Sequence, residues 1–103
     1  MKLFTYSLAA LLAFSFSVAS QAANIYAGES KAAAVCSQCH GIRKTSAEAP
    51  FPPLAGRDEA YLESALKQYR DKTRVSEIMN NIAGSLSDRD INNIASYYSR
   101  LKP

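Results

Sequence analysis

The sequence predicts a small all-α domain, four or so helices wrapped around something other than protein. Three observations carry that prediction. No stretch alternates apolar and polar residues over the length of a strand, whereas several segments repeat apolar residues at helical spacing. The chain has 103 residues, which suits one core and not two. Beyond the N-terminal segment the large apolar side chains are few: there is no tryptophan, and Phe51 is the one phenylalanine after Phe16. A core that small calls for a staple, whether a disulfide, a metal or a cofactor.

Composition narrows the field further. With 48% hydrophobic and 20% charged residues, and only 4 Gly and 4 Pro, the chain is neither disordered nor low in complexity. The net charge of +3 is too mild to advertise a nucleic-acid surface.

The first element is not part of the fold. Lys2 supplies a short positive start, and residues 3–23 then carry no charge, with an apolar centre at Leu8-Ala9-Ala10-Leu11-Leu12-Ala13-Phe14. Small residues follow at Ala19, Ser20, Ala22 and Ala23, which is the layout of a secretory signal peptide cut after Ala22. Residues 1–22 are therefore expected to be the signal and residues 23–103 a single domain exported to the periplasm. A retained membrane anchor is the rival, since ~20 apolar residues span a bilayer. Ser7, Ser15, Ser17, Ser20 and Gln21 interrupt the run and argue against it.

The remaining elements follow in order. Ile25 to Val35 reads as a short Ala-rich helix running into Cys36. Residues 41–56 read as loop, with Pro50, Pro52 and Pro53 and a closing Gly56. Asp58 is placed to cap a helix to about Arg70, with Tyr61, Leu62, Ala65, Leu66 and Tyr69 on one face. Glu63 and Lys67 on the other face stand in the favourable i, i+4 order. A short helix from Ser76 to Ala83 carries Ile78, Met79 and Ile82 and ends at Gly84. Ser87-Asp88-Arg89-Asp90 resembles a capping box, with Asp for the usual Glu, and opens the last helix, whose stripe is Ile91, Ile94, Ala95, Tyr98 and Leu101.

The chemistry sits at Cys36-Ser37-Gln38-Cys39-His40. Cysteines three apart lie about one helical turn from each other, so both thiols face one edge of a flat ring. The adjoining histidine can then reach a metal at the ring's centre from the same side. C-x-x-C-H is the attachment signature of c-type haem. Three alternatives stand beside it. A redox dithiol expects a strand–helix context that is not evident here. Zinc wants four ligands, and this motif offers three. A plain Cys36–Cys39 disulfide is the bland case.

The ligand inventory is short. His40 is the one histidine, so two-histidine ligation within the chain is excluded. Once the signal is gone, Met79 is the one methionine, and it follows an intervening helix that could return it over the opposite haem face. A lone Met is often a gap filler in a core. The other options for the second axial position are an open site, water, or a weak ligand such as Lys72 or Asn80. His/Met ligation suits electron transfer, and methionine raises the potential.

Taken together, these residues resemble the class I c-type cytochromes. The likeness is to the small single-haem bacterial members, or to one half of the two-domain dihaem bacterial cytochromes c. It covers about Ile25 to Leu101. It rests on Cys36-Ser37-Gln38-Cys39-His40-Gly41, Phe51-Pro52-Pro53-Leu54-Ala55-Gly56, the Tyr61-Leu62 helix, Met79, and Leu86-Ser87-Asp88-Arg89-Asp90-Ile91 leading to Tyr97-Tyr98. The resemblance implies the class I cytochrome c fold around one covalent haem c with its iron. Cys36 and Cys39 would carry the thioethers, and His40 and Met79 would be the axial ligands. The Pro52 carbonyl would accept a hydrogen bond from His40, unless Pro52 is a plain turn proline or Pro53 takes that place. Gly28 would be the small residue where the first helix crosses the last, against Tyr97 or Tyr98. Leu54, Leu66, Ile78, Ile82 and Ile94 would line the haem pocket. Arg57 stands where relatives often carry glutamine, and either pairs with a haem propionate or is solvated.

The expected function is periplasmic one-electron transfer, not enzyme catalysis. Partners would be larger redox proteins acting as electron donors and acceptors, with no nucleic acid, no substrate pocket, and membrane contact through partners alone. Arg43, Lys44, Arg70, Lys72 and Arg74 would steer an acidic partner if they ring an exposed haem edge, and are otherwise ordinary solvated charge. The alternatives are a cytochrome subunit of a periplasmic dehydrogenase or oxidase, and a five-coordinate ligand-binding haem protein. Gas-binding four-helix c-type proteins carry C-x-x-C-H near the C-terminus, whereas here it lies near the start.

Overall fold

The computed structural model describes residues 23–43 and 51–103; residues 1–22, expected to be a signal peptide, together with Lys44 and Pro50, lie outside the described residues. Helix α1 spans Ile25–Lys31, a single π turn covers Ala32–Cys36, and α2 continues as Ser37–His40. Then come α3 at Glu59–Asp71, α4 at Glu77–Gly84 and α5 at Asp88–Ser99. Among the described residues there is no strand.

Helices α1, α3, α4 and α5 each start where a short polar side chain can take an orphan N–H. Asn24, Asp58 and Ser76 accept from the backbone N–H groups of Ala27, Tyr61 and Met79. The capping box is complete, with Ser87 Oγ accepting from Asp90 N and an Asp90 carboxylate oxygen from Ser87 N, both at 3.0 Å. Lys67 and Glu63 pair at 3.1 Å. Two boundaries differ from the sequence reading. The first helical run passes through Val35 to His40, because the π turn carries the chain on into the cysteine motif. Gly84 is itself the last residue of α4 rather than a stop beyond it.

The frame is the crossing of α1 on α5. Gly28 is buried there, and a Cβ at that position would stand 2.2 Å from Asn93 O and 3.0 Å from Tyr97 Cβ. The glycine is thus a condition of the crossing, and Tyr97 is the aromatic partner. Asn93, 5% exposed, accepts from Asn24 N at 2.8 Å and ties the start of α1 to the same spot. Around the crossing lies a core of Ala32, Leu62, Leu86, Ile91, Ile94, Ala95, Tyr97 and Tyr98. Gly56 adopts φ +77°, and its N–H donates to Tyr98 O at 2.9 Å, so the loop before α3 is pinned to the end of α5. Leu101 lies beyond the helix but packs on the core.

Candidate haem site

Between α2, α3, α4 and α5 lies a cavity of about 340 Å³. Its lining includes Cys36, Cys39, His40 and Met79, the residues singled out in the sequence, with Pro52, Leu54, Leu66, Ile78, Ile82 and Ile94.

The π turn shapes the histidine wall. Its wider hydrogen bonding, with Ser37 N donating to Ala32 O, leaves carbonyls that need other donors. Ser37 Oγ donates to Ala33 O at 2.8 Å and Gln38 Nε2 to Ala34 O at 3.3 Å. The two residues between the cysteines therefore stabilise the backbone that presents them. Gly41 follows at φ +69°, a conformation that lets the chain turn sharply after His40.

His40 is 9% exposed, and its Nδ1–H donates to Pro52 O at 2.7 Å. That bond occupies Nδ1 and leaves Nε2 as the ring nitrogen available to a metal. Phe51 meets the His40 ring edge-on, with centroids 6.0 Å apart. Tyr98, fully buried, donates its hydroxyl to Gly41 O at 2.8 Å, tying the end of the motif to α5. Burial holds the Tyr98 hydroxyl above the ordinary tyrosine range, so it stays a donor. Both cysteines are free thiols. Burial pushes Cys36 up to about 11, with Lys31 pulling the other way, so it is a neutral thiol at neutral pH.

The methionine wall is built differently. Met79 is half-buried in the first turn of α4, and its N–H donates to Ser76 Oγ at 3.3 Å. Its neighbour Ile78 lines the cavity yet is 53% exposed. Of the other ligands weighed for this side, Lys72 is exposed and absent from the cavity lining. The Asn80 amide is engaged in hydrogen bonds with the backbone.

The charged residues are distributed unevenly. Arg57 stacks on the Tyr61 ring at 4.6 Å, and Arg74 on Tyr69 at 5.5 Å; both line the cavity. Tyr61 lines the cavity with Leu62, Ala65, Leu66 and Tyr69, the face expected of α3, and is 41% exposed beneath these guanidinium groups. Arg70 is turned away to Asp88 at 2.7 Å, so it does not join Lys72 and Arg74 in a free basic cluster. Phe51 and the Tyr98 hydroxyl were not singled out for the site from sequence, and Arg74 was named there only as a charge that could ring an exposed haem edge. Phe51 stood in the Phe-Pro-Pro-Leu segment, but nothing local marked the Tyr98 hydroxyl.

The cavity fits a haem on the chemistry of its donors. Two unpaired thiols and a histidine with a free Nε2 stand on one wall, a thioether sulfur on another, and the lining is otherwise largely apolar. Fold and site together define an all-α protein of the covalent-haem class. The family model described as "Cytochrome C oxidase, cbb3-type, subunit III" matches residues 23–97. The chain belongs to the cytochrome c family, whose members carry covalently bound haem c with its iron. It is 42% identical over 76 residues to cytochrome c-554(548) of Halomonas halodenitrificans, covering 71% of this chain and 90% of that one. It is 38% identical over 85 residues to cytochrome c4 of Pseudomonas aeruginosa, covering 82% of this chain and 42% of that protein. The solved cytochrome c4 of Acidithiobacillus ferrooxidans superposes with a TM-score of 0.69 at 28% identity, covering 82% of this chain and 54% of that one. The fold is thus the class I cytochrome c fold. The chain spans about half the length of the cytochrome c4 relatives it matches.

Proposed function

We propose that this protein carries single electrons between larger redox proteins in the periplasm, after removal of residues 1–22, and is not itself an enzyme. The observation that carries the reading is one cavity lined by Cys36, Cys39, His40 and Met79 together. When bound, haem c supplies an iron that accepts and releases one electron. Cys36 and Cys39 would hold it through two thioether links. His40 Nε2 would be one axial ligand, its ring oriented by the Pro52 carbonyl, and Met79 sulfur the other. With His40 and Met79 both holding the iron, no position would be left for a substrate. The apolar lining excludes water and favours the less charged, reduced state. Among the described residues no helix is long and apolar enough to cross a membrane, which is compatible with a periplasmic domain.

The test is absorption spectroscopy on protein matured with haem in the periplasm, as wild type and as Met79→Ala. The wild type is expected to show a weak far-red sulfur-to-iron band when ferric and no response to carbon monoxide when ferrous. Met79→Ala is expected to lose the band and bind carbon monoxide. A wild type that already binds carbon monoxide would move the reading to a ligand-binding haem protein. A second reading is a cytochrome subunit of an oxidase or dehydrogenase, favoured by the description of the matching family model. A stoichiometric complex that survives gel filtration at high salt would support it over a free carrier.

A further inference from the structure

We propose that Asn80 is the positioning residue that holds Met79 over the iron, a reading that rests on Met79 as an axial ligand. The need for such a residue comes from how weakly the Met79 segment is held by burial. Helix α4 is 8 residues long, its one buried residue is Ala83 in the last turn, and Val75 before it is 87% exposed. Apolar contact therefore does little to fix the first turn of α4, where Met79 lies.

The Asn80 side chain supplies what burial does not. Its Nδ2 donates to Tyr69 O at 2.7 Å and to Arg74 O at 2.9 Å. Its Oδ1 accepts from Ser76 N at 3.0 Å. Those partners belong to the last turn of α3, the connecting loop and the N-cap of α4. One half-buried amide thus clasps the segments that fix where α4 begins, and Met79 is the residue directly before it. Ser76 closes the arrangement, since its Oγ accepts from Met79 N while its own N–H is held by Asn80. An amide is the side chain that does this, because the clasp needs two donors and an acceptor on one short stem. Aspartate would keep the acceptor but turn a negative oxygen toward two carbonyls. The same bonds remove Asn80 from the candidates for iron ligation.

The experiment compares wild type, Asn80→Ala and Asn80→Asp as periplasmically matured haem proteins, with Ser87→Ala as a control. Ser87→Ala removes a helix cap remote from Met79, so it lowers stability without touching the clasp. The readouts are the ferric far-red band, the carbon monoxide concentration needed to convert the ferrous protein, and far-UV circular dichroism. Both Asn80 variants are expected to keep native helix content and to weaken the far-red band. They should respond to carbon monoxide at a concentration at least about tenfold below any at which the wild type begins to respond, the change expected for loss of roughly one net hydrogen bond. Ser87→Ala is expected to leave band and carbon monoxide response unmoved. Asn80 variants with a wild-type band and response would overturn the proposal, as would Ser87→Ala shifting both equally. If Asn80→Ala does not fold, Asn80→Asp decides by the same criteria. A wild type without the far-red band defeats the Met79 reading itself, which separates the two failures.

Discussion

The two walls of the cavity are held by different physics. On the His40 side the chain is knitted into the core. The motif continues out of a helix clamped at Gly28 against α5, His40 is buried against Pro52, and Tyr98 reaches back to Gly41. On the Met79 side a short helix with one buried residue, Ala83, is kept in place by its cap and by the Asn80 amide. The difference suits a site in which one ligand comes with the covalent attachment and the other must be set by the fold alone. Disturbing the first wall should cost global stability. Disturbing the second should change the iron's surroundings while the domain stays folded.

The largest effect is expected at the crossing. Gly28→Val puts side-chain carbon where Asn93 O and Tyr97 Cβ already stand, and the obstruction is mostly backbone, which cannot swing away. A loss of about 3 kcal/mol or more is expected in denaturant unfolding of the haem protein, with a lower yield of matured protein. Unfolding unchanged from wild type would mean that the two helices slide apart easily and that the histidine wall is not the rigid one.

A gentler break on the same wall is Tyr98→Phe, which keeps the ring and deletes the hydroxyl that donates to Gly41 O. It should lower unfolding free energy by about 1–2 kcal/mol, because a carbonyl loses its partner in a largely buried place. The far-red band should survive, since Met79 is not touched. Loss of that band from Tyr98→Phe would erase the distinction between the walls.

On the methionine side one change should stabilise. Lys72 sits at φ +67° at the end of α3, the left-handed conformation that a residue with a Cβ adopts at a cost. Lys72→Gly is expected to raise stability by about 0.5–1 kcal/mol, read as a higher melting temperature. A fall instead would mean that the lysine side chain contributes more than its backbone strain removes.

Much of the histidine wall was legible from local sequence. Cys36, Cys39 and His40 announce themselves by spacing, and the caps at Asp58 and Ser87 by residue type beside a periodic stripe. The resemblance to a known family added the Pro52 carbonyl and the Gly28 crossing. The rest depends on contacts between distant segments. Nothing near Ala32 marks the π turn, because alanines suit either winding and the side chains of Ser37 and Gln38 that satisfy it look like ordinary polar positions. Asn80 reads from sequence as a weak ligand option for the iron, and its clasp appears only when Tyr69, Arg74 and Ser76 are brought to it. Arg70 counts as free positive charge in a sequence and turns out to be bound to Asp88.

That last pair gives the smallest expected effect. Arg70 holds the Asp88 carboxylate at 2.7 Å and donates to Leu86 O at 3.3 Å, bracing the end of α3 against the start of α5 behind the methionine side. The hydrogen bond from Arg70, then its charge, lower the Asp88 carboxyl below its ordinary value of 3.8. A carboxylate whose folded pKa is depressed contributes stability that is fully present above the ordinary value and is lost as pH falls through the depressed one. Asp88 is exposed, so the contribution is small and salt should shrink it further. Asp88→Asn should therefore melt slightly below wild type at neutral pH, with the gap narrowing at high salt and closing well below pH 3.8. A gap that persists in strong acid would assign the effect to the capping geometry of α5 instead. The brace between the walls would then be a helix terminus rather than an ion pair.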